Sequence, residues 1–393
     1  MTTKCSLIPL EKKKLSKNDK KCLSLSVLKD NPETETRVAL TPMGVKNLVD
    51  SGHKVIIERG AGLLANYSDL EYVNSGAEIT SDRQKLFLSD IILKVSPFSL
   101  EDTQYVKKEH TLVSNLSPAR CDKRAIENIL KKKAVAIALE YIQTEKDFYP
   151  VHFINSEISG RTAVFTGAEY LSRRCQGKGV LLGGITGISP ALVIVVGTGT
   201  AALYAAKTAL STGAEVRIFG NSIYRLSEIT RKLGHEVFTS PLQLQILNKS
   251  LASADLVIGA KSMKYETFDF ILRESVSLMK KGSVIVDLNI DSCACFETSK
   301  PTTLQKPTFD FGGVIHYCLP DIATTVPRTA SIALSNILYH LINKIYNNGG
   351  IYQEICYNQL FRQSVYCYNG LLTNEFLAKK FNLSFKDIDL YLM

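Results

Sequence analysis

Apolar and polar positions along this chain follow two periods, one of strands and one of helices. Short runs rich in β-branched residues at 22–30, 53–60, 90–96 and 134–142 predict buried strands. Between them, 37–52 takes helical spacing with Pro42 suited to a first turn, and 68–77 predicts a short capped helix. The second half repeats the alternation, with strands at 191–197, 214–220, 255–260, 283–288 and 313–319. Helices are predicted at 200–213, from Ser222 onward and near 268–280. A long amphipathic helix over 328–350 ends at Gly349 and Gly350, and a tail with a second short helix follows. Strands alternating with helices predict an α/β fold with mostly parallel sheets.

Length and charge refine this picture. A chain of 393 residues is too long for one ordinary core and predicts two domains. With 45% hydrophobic and 22% charged residues it has the composition of a globular protein. The net charge of +9 is uneven, because Lys12, Lys13, Lys14, Lys17, Lys20 and Lys21 crowd the start. Residues 1–21 are therefore predicted to be a basic flexible tail. No aromatic residue interleaves with these lysines, so no nucleic-acid partner is expected. The opening MTTKCSLIPLEKKK lacks the apolar core of a signal peptide, which predicts a cytoplasmic protein.

Two other features could mislead. The nine cysteines lack framework spacing and predict reduced thiols, and the close pair Cys293 and Cys295 has no companions that would predict a metal. From Gly179 to Ala206 no residue is charged, which is long enough to span a bilayer. Six glycines and Pro190 interrupt that stretch, so a glycine-rich loop before a buried strand is expected, and no membrane contact.

The chemistry begins at VIVVGTGTAA. Gly197-x-Gly199-x-x-Ala202 follows an apolar strand and opens a helix. Gly197 permits the tight turn, Gly199 lets the backbone approach a pyrophosphate, and Ala202 lets helix and strand pack closely. The helix amino end then offers N–H groups to phosphates. The acid that would hold the adenosine ribose belongs at the end of the next strand, where Gly220 stands. Its loss removes a charge-assisted hydrogen bond of about 1.5–3 kcal/mol. It also removes a repulsion against a 2′-phosphate. The expected cofactor is NAD, with NADP admitted beside Asn221, Ser222 and Arg225.

Taken together, RVALTPMGVKNLVDSGHKVIIERGAG, GGITGISPALVIVVGTGT, MKKGSVIVDLNIDSCACFETSKPTT and GVIHYCLPDIATTVPRTASIALSN resemble alanine dehydrogenase, in the family it shares with the nucleotide-binding part of proton-translocating transhydrogenase. The likeness runs from about residue 24 to 345, and CFETSKPTT favours the dehydrogenase branch. It implies two Rossmann-like domains, a nucleotide domain (151–327) inserted into a discontinuous substrate domain (22–150 with 328–393), and assembly as a homohexamer. The implied reaction is reversible oxidative deamination of L-alanine to pyruvate and ammonium. Arg37 matches the arginine that grips the substrate carboxylate, a task suited to a planar guanidinium. Asp291 matches the active-site aspartate, and Ser156, Arg225, Gly259 and Ala260 match positions lining the cofactor.

Two matches fail. Ser96 stands where the family carries its substrate-binding lysine, and Ser117 where it carries its catalytic histidine. Asp321 replaces an asparagine near the nicotinamide. A serine hydroxyl does not titrate near neutral pH as imidazole does. Lys94 becomes a candidate substitute, since residues two apart on a strand share a face; Asp291 is the other, as a lone proton acceptor. His110 and His316 are weaker candidates. The alternative readings are a dinucleotide-binding relative that has lost alanine chemistry and a soluble transhydrogenase-type component.

Overall fold

The computed structural model describes residues 22–117, 120–261, 271–291 and 293–392. The predicted basic tail and the start of the helix expected near 268–280 lie outside the described residues; of that helix, Arg273–Val276 is described.

Two sheets carry the fold. The first starts with β1 (Ser24–Val27), β2 (Lys54–Glu58), β3 (Glu78–Thr80), β4 (Ile91–Leu93), β5 (Thr111–Ser114) and β6 (Val135–Ala138). The second holds β7 (Leu192–Val196), β8 (Glu215–Gly220), β9 (Phe238–Pro241), β10 (Leu256–Gly259), β11 (Val284–Asp287), β12 (Thr308–Phe311) and β13 (Val314–Tyr317). The chain then returns to the first sheet with β14 (Val365–Tyr368) and β15 (Leu371–Leu372), so that sheet has eight strands and the second has seven. Both are α/β sheets, parallel except where β14 and β15 in the first and β12 in the second run antiparallel.

The two sheets share one winding. The first runs β3-β2-β1-β4-β5-β6 and the second β9-β8-β7-β10-β11-β13 before their antiparallel edges. In such doubly wound sheets, ligands bind beyond the carboxyl ends of the strands, where the order reverses. That point lies between β1 and β4 in the first sheet and between β7 and β10 in the second.

The helix Pro327–Asn347 was expected from its spacing, and it buries Leu334, Leu338, Leu341, Ile342 and Ile345 in one cluster with Val27, Leu48 and Ile57. Its serines also fix the chain that follows Arg37. Ser331 Oγ accepts from Val38 N at 3.0 Å, and Ser335 Oγ accepts from Thr41 N at 3.1 Å.

The helix Pro150–Leu171 was not expected. It spans 22 residues, yet its apolar positions are dispersed and Gly160 and Gly167 interrupt them. Those glycines are the reason it fits. A Cβ at Gly160 would lie 2.3 Å from Ala201 O and 2.9 Å from Ala205 N, so the helix crosses Thr200–Ser211 backbone to backbone. At Gly167 the same atom would fall 2.5 Å from the Leu256 methyls. The uncharged stretch 179–206 divides into an irregular segment, β7 and the start of a helix, and among the described residues no helix is long and apolar enough to cross a membrane.

Candidate active site

The loops beyond the carboxyl ends of the two sheets meet, and their charged groups pair across the meeting. Arg37, beyond β1, is 4% exposed. Its Nε donates to Glu35 Oε1 at 2.8 Å and its Nη2 to Glu35 Oε2 at 2.7 Å. The same Nη2 donates to Asp321 Oδ2, from the loop beyond β13, and Nη1 reaches Asn155 Oδ1 at 3.5 Å. Burial alone would depress the pKa of this guanidinium, but Asp321 and Glu35 override it and hold the pKa above its ordinary value. Asp321 sits at φ 55°, a left-handed conformation that Asn and Asp tolerate better than most residues.

A second pair bridges the same gap. Arg120, beyond β5, donates from Nη2 to Pro320 O at 3.0 Å and stands 3.6 Å from Asp291 Oδ2, beyond β11. The Asp291 side chain keeps 35% of its exposure. Loss of water around it raises its pKa and so does Asp321, while Arg120 opposes the shift. Close by, Glu140 accepts from Leu116 N at 2.8 Å and Ser117 N at 3.0 Å, holding the loop that carries Ser117. Burial raises the Glu140 pKa against these N–H donors, and Asp321 adds to the rise.

Lys94 is engaged by a neighbouring carboxylate. Its amine is buried in an ion pair with Asp102 Oδ2 at 2.7 Å, and Asp102 also pairs with Arg83. Ser96 instead meets Asp30, whose Oδ1 accepts from Ser96 N at 3.0 Å and from the Ser96 hydroxyl, while Oδ2 takes Val95 N at 3.1 Å. The expectation for Lys94 rested on a shared face, and the structure pairs its amine with Asp102 while its charge also bears on Asp30. His316 bonds Thr298 Oγ1 and Val314 O and stacks on Phe309, and His110 accepts from Lys107 N beside Phe87. Both histidines are therefore engaged in packing.

Burial, and then Glu35, push the Asp30 pKa from 3.8 up to about 6, against Lys94 and the hydrogen bonds from Ser96 and Val95. The folded chain thus holds this proton more tightly than the unfolded one. The stabilisation is complete below the unfolded value and is lost as pH rises through about 6. Asp30→Asn should accordingly gain on the wild type between about pH 4 and about pH 8, by roughly 2 kcal/mol. Urea midpoints of both proteins across that range check it, and a difference that ignores pH would sink it.

The second sheet supplies a tight glycine turn. Gly197 adopts φ 131°, and a Cβ there would lie 2.2 Å from Ala260 O, so only glycine fits beside β10. The helix Thr200–Ser211 starts from Gly199 with no side-chain cap and no acid in its first turn, which leaves its amino end suited to a pyrophosphate. Ala202 is buried with Val193, Val195 and Ile218. These features fit a dinucleotide. Ser156 is the neighbour of Asn155 on Pro150–Leu171, and Asn221 and Arg225 follow Gly220 at the opening of the helix Ile223–Leu233. Gly259 has a packing reason for its small size, since a Cβ would lie 2.7 Å from Cys295 Cβ.

Family models agree with this arrangement. The alanine dehydrogenase/PNT N-terminal domain matches residues 26–156 and the C-terminal domain matches 163–375. The chain belongs to the alanine dehydrogenase/PNT family. Within it, an alanine dehydrogenase of Staphylococcus saprophyticus is 33% identical over 370 residues, 93% of this chain and 98% of the relative. One of Mycolicibacterium smegmatis is 34% identical over 356 residues, 90% and 95% of the two chains. Among solved structures, an L-alanine dehydrogenase superposes with a TM-score of 0.85 at 30% identity, covering 92% of this chain and 99% of that one. A transhydrogenase from Sinorhizobium meliloti reaches 0.75 at 21% identity over 89% and 100%, a likeness of fold.

For this alanine dehydrogenase/PNT chain, sequence reasoning missed Glu35, Asn155, Arg120 and Asp30. Only Glu35 left a signal, as the acid two residues before Arg37 in ETETR.

Proposed function

We propose that this chain is a nicotinamide-dinucleotide-dependent amino-acid dehydrogenase that interconverts L-alanine with pyruvate and ammonium. The carrying observation is the pairing of Arg37 with Asp321 and of Arg120 with Asp291 between the loops of two sheets. Gly197, Gly199, Ala202, Ala260 and Gly259, with Ser156, Asn221 and Arg225, would hold the dinucleotide, which when bound supplies the acceptor for the substrate's α-hydrogen as hydride. NAD is the cofactor of this reading, with NADP admitted by Gly220. Arg37 grips the substrate carboxylate, turning part of its guanidinium from Asp321. Asp291 takes the proton of the attacking water, a task for which its raised pKa suits it.

One observation favours a second reading, a dinucleotide-binding relative with weakened catalysis. Serines occupy positions 96 and 117, and two carboxylates already engage Arg37. Oxidation of NADH or NADPH by purified protein with pyruvate and ammonium separates the readings. No turnover with dinucleotide binding retained would favour the second. Division into 22–150 with 328–393 and 151–327, a cytoplasmic location and a homohexamer belong to the leading proposal. Exposed Leu181, Ile185 and Ile188 support self-association, and light scattering is expected to return a hexamer, not a monomer.

A further inference from the structure

Gly220 ends β8 at the position where a ribose-binding acid belongs, and the structure gives a steric reason for its absence. A Cβ built at Gly220 would lie 2.3 Å from Thr198 Cγ2, with Leu226 Cδ2 next at 3.6 Å. Side-chain carbons do not approach that closely, so any larger residue at 220 requires Thr198 to move. Thr198 has little freedom to do so. It is β-branched, and it stands beside Gly197, whose place against Ala260 O admits no side chain. The threonine methyl therefore occupies the ground from which a carboxylate would reach the adenosine ribose.

We propose that Thr198 is the specificity-determining residue of the adenosine subsite, and that with Gly220 it opens this site to dinucleotides bearing a 2′-phosphate. This rests on the dinucleotide-binding reading above. Several features beyond the strand agree with it. Asn221 and Ser222 follow Gly220, Ser222 caps the helix Ile223–Leu233, and that helix has no acid in its first turn. A carboxylate at 220 would repel a phosphate dianion there, and its removal leaves an uncharged strand end facing helix N–H groups. The exchange works as a pair. Gly220 without Thr198 would leave room for an acid to return, whereas Thr198 excludes one.

The test is calorimetric titration of the full chain with NADH and with NADPH, alongside thermal melts, for the wild type, Gly220→Asp, Thr198→Ala and Thr198→Ala/Gly220→Asp. The wild type is expected to bind NADPH within less than about tenfold of NADH. Gly220→Asp alone should melt lower than wild type, and adding Thr198→Ala should recover the melt and shift preference toward NADH by about tenfold or more. A wild type that prefers NADH by about tenfold overturns the proposal. So does a Gly220→Asp single variant that melts like wild type and already prefers NADH, because Thr198 would then block nothing. Binding of neither dinucleotide by the wild type overturns the dinucleotide reading itself, and this proposal with it.

Discussion

Replacing Arg37 by methionine should destabilise the protein by about 3–5 kcal/mol and abolish measurable turnover. Arg37 is 4% exposed and compensates Glu35 and Asp321 together, so its removal leaves Glu35 buried without its counter-charge, with the part-exposed Asp321 carboxylate beside it. Losing one partner of a buried ion pair costs far more than the pair contributes, because the remaining charges stay buried. Arg37→Lys should recover part of the stability and little of the activity. A lysine keeps the charge but cannot donate in two directions from one plane, as Arg37 does to both oxygens of Glu35 and to Asp321. Urea midpoints and turnover with pyruvate and ammonium check both variants. A methionine variant as stable as wild type would show that the carboxylates relax into water.

Asp291→Asn should behave in the opposite way, folding normally and losing about 10²–10⁴ in kcat. The side chain is 35% exposed and its ion pair with Arg120 spans 3.6 Å, so the change in stability should stay within about 0.5 kcal/mol. Asparagine preserves shape but does not accept a proton. The pH profile adds a second readout. Desolvation and Asp321 raise the Asp291 pKa, so the wild type should lose rate on acidification at a higher pH than an ordinary aspartate would impose. That acid limb should vanish in the variant. Wild-type kcat in Asp291→Asn would remove this residue from the chemistry and leave Glu140, also raised by burial, as the next carboxylate to examine.

Much of the architecture was legible in the chain. The strands at 22–30, 53–60, 134–142, 191–197, 214–220 and 255–260 and the helix toward Asn347 all announced themselves through apolar period and end signals. Elements without such contrast escaped. Pro150–Leu171 carries glycines where another backbone passes, β5 and β9 are four-residue strands, and the equally short β14 pairs with β6 from the first half of the chain. At the site, motif order singled out Arg37, Asp291 and the glycine turn. It did not single out the partners that set their charge.

Most of the local order in this protein therefore followed from the sequence alone. Periodicity, caps and turn residues act over a few positions, so they specify strands, helices and the turn at Gly197 without knowledge of the rest. Which charges neutralise which was decided only by the tertiary structure. Arg37 meets Glu35 two residues away and Asp321 284 residues away, and both hold its charge. Lys94 turned to Asp102, Asp30 took up Ser96, and Thr198 closed the space above Gly220. Electrostatic pairing and steric exclusion act through space over a few ångströms, and only the winding of two sheets brings such distant residues within that range.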